Sequence, residues 1–458
     1  MTSRTSLFHL PDELSFSLGQ ISPPTNESSG SWKFSNYISV DSFAQWPAFT
    51  TVPHPEPLTW RNTPQAHAYI LLYFFMAYLT RRPRTYAFRL FLLPLAVLVI
   101  LHCTVQYRIM NPLYGWYNWL RGLAACACIS KVIRFAVVPQ GMLKLGEERL
   151  QDSALLREDD GHEVTKKREA HTKGILPPCF FDAFEVGLSA RGIGWQFARG
   201  VHVPRARRAS ERHAYLRRTV PVVLRNFLLA DLFDSSLELL PGVTVNSGTT
   251  YLPSLPPIPR YLVGTIIHVL AGIFIISGIE MWYDIVSLIG VGLFQQSPSL
   301  WPPIHDKPWL ATSLHEFWSK GWHQILRDTF LVLGGYPGRW IAGDLGMLFG
   351  TFIASGLFHE VGFYLGGESI DTAVIVFFVA QAFGILAEKL YKTSTGRRVG
   401  GWLGRMWVAV FLVGLGQLCT NSWIARGAGG RALVPPAVSP ARRLLFPVLR
   451  SAAARYLA

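Results

Sequence analysis

The sequence predicts an all-α, polytopic membrane protein, and three observations carry that prediction. Half of the 458 residues are hydrophobic and only 16% are charged, against about a quarter charged in soluble domains. Apolar runs near bilayer length recur along the chain. Fifteen Trp and 29 Phe supply side chains that favour membrane interfaces. The net charge of +14 would raise nucleic acid as a partner of a soluble protein. In a chain with mean hydropathy +0.25 it is better assigned to Lys and Arg in cytosolic loops facing anionic lipid, so no nucleic-acid partner is expected. Such a basic face also attracts nucleotide-like anions.

Residues 1–60 are polar and rich in Ser and Pro. They lack a charged start followed by an apolar core, so a poorly ordered segment with no cleaved signal peptide is expected. The membrane domain is expected over 61–424. Its apolar runs fall at Ala68–Leu79, Leu90–Val105, Leu113–Val138, Val220–Leu240, Leu262–Phe294, Ile341–Leu365, Thr372–Leu390 and Trp402–Ile424. Leu262–Phe294 is long enough for one tilted helix or for two broken near Glu280. Between the third and fourth runs, residues 141–218 are rich in Glu, Asp, Lys and Arg, the composition of a solvated loop. Placing the basic clusters in the cytosol gives about eight crossings with a lumenal N-terminus. The basic tail 425–458 then falls on the lumenal side, so either the count is off by one or the tail is an interfacial segment. No internal repeat suggests a transporter's inverted halves. The five cysteines, Cys103, Cys126, Cys128, Cys179 and Cys419, suggest neither a disulfide framework nor a metal site.

One ionisable residue stands out. His359 lies in Ser355-Gly356-Leu357-Phe358-His359-Glu360, inside an apolar stretch. Ionisable groups at that depth are costly and are usually kept for function, and imidazole is a natural proton acceptor. His268 and His102 also fall in apolar runs, but no motif surrounds them; His268 reads as a tie between helices. Asp344 reads as favourable charge at a helix start. Glu388 stays open between a structural and a substrate-facing role.

Upstream of His359, residues 313–327 predict an amphipathic helix. Ser313 and Glu316 have capping-box spacing. Leu314, Phe317, Trp318, Trp322, Ile325 and Leu326 form one apolar stripe, while Ser319, His323 and Arg327 share the polar face at steps of four. Such a helix also serves as a plain interfacial anchor. The Gly334-Gly335-Tyr336-Pro337-Gly338 cluster predicts a turn that brings the helix of His359 back toward His323.

Taken together, Phe317-Trp318-Ser-Lys-Gly-Trp322-His323-Gln324 and Ser355-Gly356-Leu357-Phe358-His359-Glu360 resemble the membrane-bound O-acyltransferases, in their wax-synthase-like branch known from fungal secondary metabolism. Trp301-Pro302-Pro303-Ile304 and Arg191-Gly192-Ile193-Gly194-Trp195 extend the resemblance, which covers about 60–424. One departure is that the branch usually has Phe-Gly after the double proline, where this chain has Ile304-His305-Asp306.

The resemblance implies a tunnel within the helix bundle, with His359 and His323 as its catalytic positions. It implies acyl-CoA as co-substrate, no resident cofactor or metal, and a multi-pass location in the endoplasmic reticulum. The acceptor is then a lipophilic alcohol, with an acetylated terpenoid or meroterpenoid favoured over a long-chain wax or sterol ester. A membrane transporter and a non-catalytic scaffold are the alternatives of another class. In this picture His359 accepts the hydroxyl proton and His323 donates to the oxyanion. Trp318 and Trp322 exclude water. Gln324 and Ser355 border the substrates, and Arg327 and Lys320 meet the phosphates of coenzyme A or of lipid.

Overall fold

The computed structural model describes residues 45–46, 55–148, 178–204 and 208–457. Most of the expected poorly ordered segment 1–60, and residues 149–177 and 205–207 of the expected charged loop, lie outside the described residues. The architecture is all-α, with only two-residue strand pairings. Among the described residues, five helices are long and apolar enough to cross a membrane: Tyr86–Gln106, Pro257–Gly292, Arg327–Leu365, Thr372–Thr395 and Gly401–Ala425. This is an integral, multi-pass membrane protein.

A first bundle forms from α1 (Tyr69–Leu79), α2 (Tyr86–Gln106) and α3 (Gly115–Val137), with α4 (Pro178–Leu188) laid against α1. Met76, Ile100, Val132 and Phe135 are buried at its centre, and Phe358 joins the same cluster. The basic residues of α3 are satisfied internally. Arg121 donates to the carbonyls of Tyr107 (2.6 Å) and Cys103 (3.1 Å), and Lys131 and Arg134 pair with Asp328. The described parts of the 141–218 segment fold onto this bundle. Arg81 bonds Glu147, and Trp195 is buried.

The long pair α5 (Arg212–Leu237) and α6 (Pro257–Gly292) follows. α6 is continuous past Glu280, because that carboxylate is compensated from outside the helix by His305 and Asn226. Its 36 residues extend roughly 54 Å at 1.5 Å per residue, well beyond a hydrocarbon core of about 30 Å.

The predicted motif helix 313–327 is not one helix. A single turn, α7 (Leu314–Glu316), widens into a π turn, Phe317–Gly321, and the backbone becomes extended at Trp322. The break is stabilised by Gln324, whose amide donates to the carbonyls of Trp318 (2.9 Å) and Trp322 (3.1 Å). The helical row Ser319–His323–Arg327 is therefore lost. Ser313 caps as its spacing predicts, accepting from the Glu316 amide at 3.0 Å. Glu316 reaches back one residue further than a capping box requires, to Thr312 N at 2.8 Å.

Helix α8 (Tyr336–Leu365) is entered from Arg327–Phe330 through a π turn, Leu331–Gly335. The chain reverses inside it, at Ala342 (φ −139°, ψ 30°) and Gly343 (φ 58°, ψ −142°). The second of these conformations is one that glycine adopts readily. Reversal thus occurs later than the predicted turn at Gly334–Gly338. Those glycines instead let two antiparallel arms touch backbone to backbone: a Cβ on Gly334 would strike the Gly350 carbonyl, and one on Gly338 the Gly346 carbonyl. Asp344 starts the returning arm and is exposed, as suits a carboxylate at a helix N-terminus.

Helices α9 (Thr372–Thr395) and α10 (Gly401–Ala409, continued through a π turn into Gly416–Ala425) complete the second bundle. Its core holds Phe352, Val374, Phe377, Phe378 and Cys419. Residues after 425 are built into the fold. Arg426 meets Glu360 at 2.8 Å, Arg431 pairs with Glu368, and Arg442 is held by Asp231, Asp234 and Glu238. These guanidiniums are neutralised locally, which removes them from any count of free positive charge. Leu444, Leu445, Val448 and Leu449 stay exposed where the closing helix α11 (Phe446–Leu457) begins, the pattern of a segment lying at an interface.

Candidate active site

Three contacts set the motif segment against α9. The Glu388 carboxylate accepts from the free amides of Leu314 (2.6 Å) and His315 (3.1 Å) and from Trp407 Nε1 (3.0 Å). A carboxylate at a helix N-terminus is worth about 1 kcal/mol, so Glu388 is a structural cap. Seven residues earlier, fully buried Gln381 accepts from Trp318 Nε1 at 3.2 Å. In the first third of α9, Phe378 stacks on the His359 ring at 4.8 Å between centroids. The motif segment descends along α9 to His323, the first arm of α8 climbs back, and the second arm descends past His359.

His359 sits between the two bundle cores, since Phe358 belongs to one and Phe352 and Phe378 to the other. Its Nδ1 lies 2.7 Å from the Ser355 carbonyl. A carbonyl only accepts, so Nδ1 carries the proton and Nε2 keeps a lone pair. Trp423 flanks the ring at 6.2 Å, and Trp119 donates to the His359 carbonyl at 3.2 Å. The neighbouring Glu360 faces away, bonded to Arg426 through both oxygens and to the Asp371 amide; it braces the helix without touching the imidazole.

His359 and His323 both line one cavity of about 1340 Å³. Its wall is largely apolar and includes the aromatic rings of Trp119, Phe274, Trp318, Trp322, Phe378 and Trp423. His323 lies 5.1 Å from Trp322 and 6.1 Å from His305, centroid to centroid, and its buried Nδ1 has no hydrogen-bond partner. Burial pushes its pKa down to about 3, helped by the charges of His305, His359 and Arg191, so it is neutral at physiological pH.

Of the other residues singled out in the sequence, Trp318, Trp322, Gln324, Arg327 and Ser355 all border the cavity. Both N–H groups of Gln324 are spent on the loop backbone. Arg327 reaches the cavity without an ion pair among the described residues, whereas Lys320 is exposed. His268 is saturated, with Nδ1 2.7 Å from Thr420 Oγ1 and Nε2 2.9 Å from the Leu412 carbonyl. The Arg191 and double-proline segments meet, as Arg191 donates to the carbonyls of Pro302 (3.3 Å) and Pro303 (2.9 Å). Gln381 is marked by no local pattern; in the sequence Glu280 reads only as a break point in the long run, and His305 only as a departure after the double proline.

Fold and site together define a polytopic membrane protein with two histidine rings facing a large, mainly apolar cavity. Comparison with known proteins gives the class a family. Residues 301–380 match the membrane bound O-acyl transferase family. It is 26% identical over 181 residues to the acetyltransferase spyB of Aspergillus fumigatus, covering 33% of this chain and 30% of that one. It is 37% identical over 109 residues to acyl-CoA–sterol O-acyltransferase 1 of Arabidopsis thaliana (21% and 30% covered). It is 25% identical over 261 residues to the acetyltransferase ple2 of Rhodocybe pseudopiperita (53% and 65% covered). The matches span less than two thirds of each of these relatives.

Proposed function

We propose that this protein transfers an acyl group, acetyl in the first instance, from acyl-CoA to a hydroxyl of a lipophilic acceptor in the endoplasmic reticulum membrane. The observation that carries the reading is His359, whose Nδ1–H is held by the Ser355 carbonyl while the ring borders a cavity shared with His323. In the proposed step, His359 Nε2 takes the acceptor's hydroxyl proton as the oxygen attacks the thioester carbonyl. His323 donates an N–H to the oxyanion of the tetrahedral intermediate. The C–S bond then breaks, and the leaving thiolate takes the proton from His359. The products are an ester and free coenzyme A, and His359 returns to its starting state.

The aromatic wall supports a bulky apolar acceptor and keeps competing water from the thioester. Arg327 is the candidate contact for the co-substrate's phosphates. The acetyltransferase names of two relatives favour a short acyl donor, and the terpenoid or meroterpenoid acceptor is what the sequence resemblance implies. The plant sterol acyltransferase and a probable long-chain-alcohol O-fatty-acyltransferase of Arabidopsis thaliana support a sterol or long-chain ester product as the second reading.

Membranes containing the full chain, or its His359→Ala variant, would receive acetyl-CoA or palmitoyl-CoA with terpenoid, sterol and long-chain alcohols, and free coenzyme A would be measured. Release that requires an alcohol, prefers acetyl-CoA and disappears in the variant is the expected result. Alcohol-dependent release that survives His359→Ala would sink the assignment of the base. The absence of release from every pair would favour a transporter or a scaffold.

A further inference from the structure

A glycine inside a helix is less stable there than alanine, because its unfolded chain is freer and it has no side chain to pack. Helix α6 contains Gly264, Gly272, Gly278, Gly290 and Gly292. Crowding accounts for two of them: a Cβ on Gly264 would press the Thr250 carbonyl at 3.2 Å, and one on Gly290 would strike the Trp301 ring at 2.7 Å. At Gly278 and Gly292 it would touch Leu433 and Leu216. At Gly272 alone it would meet nothing within 4 Å among the described residues. The backbone there is ordinary helix without a positive φ. Neither packing nor backbone conformation therefore explains Gly272. What borders it is the cavity of His359 and His323.

The surroundings fix where that space lies. Thr265, His268 and Gly272 share one face of α6. Thr265 Oγ1 accepts from Gln417 at 3.1 Å, and His268 meets Thr420 and the Leu412 carbonyl, so this face looks at α10. The main contacts of α6 with α10 fall on Val410–Ala425. Arg405, Val408 and Ala409, in the preceding turns of α10, line the cavity instead, as Ile279, Trp282 and Val286 of α6 do. Gly272 thus lies at a fork, one turn past the point where the two helices are joined. Leu412 borders the same cavity and packs against the cluster of Phe352 and Phe378, the ring stacked on His359.

Building on the acyl-transfer reading above, we propose that Gly272 is a specificity-determining position, and that the space over it takes the apolar ring skeleton of the acceptor while the hydroxyl is at His359. The chemistry of the fork selects this occupant. Its nearest lining residues, Val269, Ile273, Ile276, Leu412 and Val413, are apolar, and both nitrogens of His268 are already bonded. Nothing there answers the phosphates and amides of coenzyme A, and an acetyl donor has no chain to place. An acceptor too wide for the space beside His359 has the fork to extend into; a compact alcohol has no need of it. A methyl group at 272 narrows the fork, and a leucine side chain fills it. The residue contacts neither histidine ring, so its effect is on which alcohols fit.

The test uses full-length protein in membranes, as wild type, Gly272→Ala and Gly272→Leu. Acetyl-CoA is paired with a compact primary alcohol, cyclohexylmethanol, and with a fused-ring one, abietinol, and ester formation gives kcat/KM for each. The ratio of abietinol to cyclohexylmethanol should fall about threefold in Gly272→Ala and about tenfold or more in Gly272→Leu, the scale on which a few carbon atoms discriminate in an apolar pocket. KM for acetyl-CoA should change less than about twofold. Gly272→Ala should accumulate at least as well as the wild type, since alanine favours the helix and its Cβ meets no neighbour; it carries the test if Gly272→Leu does not accumulate. Loss of Gly272→Ala from the membrane would mean that the position is packed, and would overturn the proposal. So would an unchanged alcohol ratio, or a wild type that esterifies cyclohexylmethanol but no fused-ring alcohol. A shift in the preference for palmitoyl-CoA over acetyl-CoA at a constant alcohol ratio would give the space to the acyl chain and overturn it too. No alcohol-dependent release from the wild type with either donor marks failure of the acyl-transfer reading itself, and this inference falls with it; active variants with an unchanged ratio mark failure of this inference alone.

Discussion

His268 and His359 make an instructive pair. Both sit in apolar helices and both border the same cavity. At His268 every ring nitrogen is used: Nε2–H donates to the Leu412 carbonyl, and Nδ1 accepts from the Thr420 hydroxyl. The ring ties α6 to α10, and a Cβ on Gly416 would collide with it. At His359 one nitrogen is held by the carbonyl one turn earlier and the other keeps its lone pair. The difference between a fastener and the proposed base therefore lies in one uncommitted nitrogen. Depth and proximity to the cavity are common to both.

The largest effect that separates them is on rate. His359→Ala should cost about 10²–10⁴ in kcat, the usual range for a general base, at an unchanged level of membrane-inserted protein. The radiolabelled ester formed per molecule measures it. His268→Phe should do the reverse. It should lose about 1–2 kcal/mol of stability through two buried hydrogen bonds, seen as a lower thermal midpoint in detergent, with the rate per folded molecule nearly unchanged. A rate loss matching that of His359→Ala would erase the distinction. A smaller effect tests how His359 is held. The Ser355 carbonyl fixes its tautomer, so Ser355→Ala should keep kcat within about threefold; a loss of tenfold or more means that the hydroxyl touches substrate.

The smallest expected effect is a flat response to pH. With its pKa pushed down to about 3, His323 stays neutral across pH 5–8, so His323→Asn should leave the acidic side of the pH–kcat profile unchanged in shape. The linkage runs the same way. Below pH 6.5 the unfolded imidazole binds a proton that the folded one refuses until about 3, so the His323 contribution to stability is complete above 6.5 and falls on acidification. An acidic limb near 6.5 that disappears in His323→Asn would contradict the geometry.

Much of this arrangement was legible in the sequence. Polytopic character follows from composition, and His359, His323 and the two Trp of the motif are marked by their own neighbours. The Ser313 cap is a local spacing and was found where predicted. What escaped is non-local. Glu280 meets His305 across 25 residues, and Gln381 reaches Trp318 across 63; no periodicity encodes either contact. The extended backbone at Trp322 was hidden because helical spacing of apolar residues says nothing about where a side-chain amide interrupts the ladder. The reversal at Ala342–Gly343 was hidden inside a uniformly apolar run. The glycines at 334 and 338 looked like a turn because flexibility and smallness share one letter, and here only smallness is used.

That close contact between the two arms of α8 acts as a ruler. Gly334 against Gly350, and Gly338 against Gly346, set backbone against backbone with no side chain to compress or repack. Both arms lead toward the site, one from His323 and the other to His359, so the span between the two rings is calibrated by the main chain. Most of the cavity wall lies on other elements, α3, α6, α9 and α10 among them, and residues of the two arms such as Phe352 and Ser355 complete it. Over most of the wall, size selection is thereby separate from the spacing of the two rings. The chamber is free to be remodelled for a new guest while the distance at which chemistry is done stays constant.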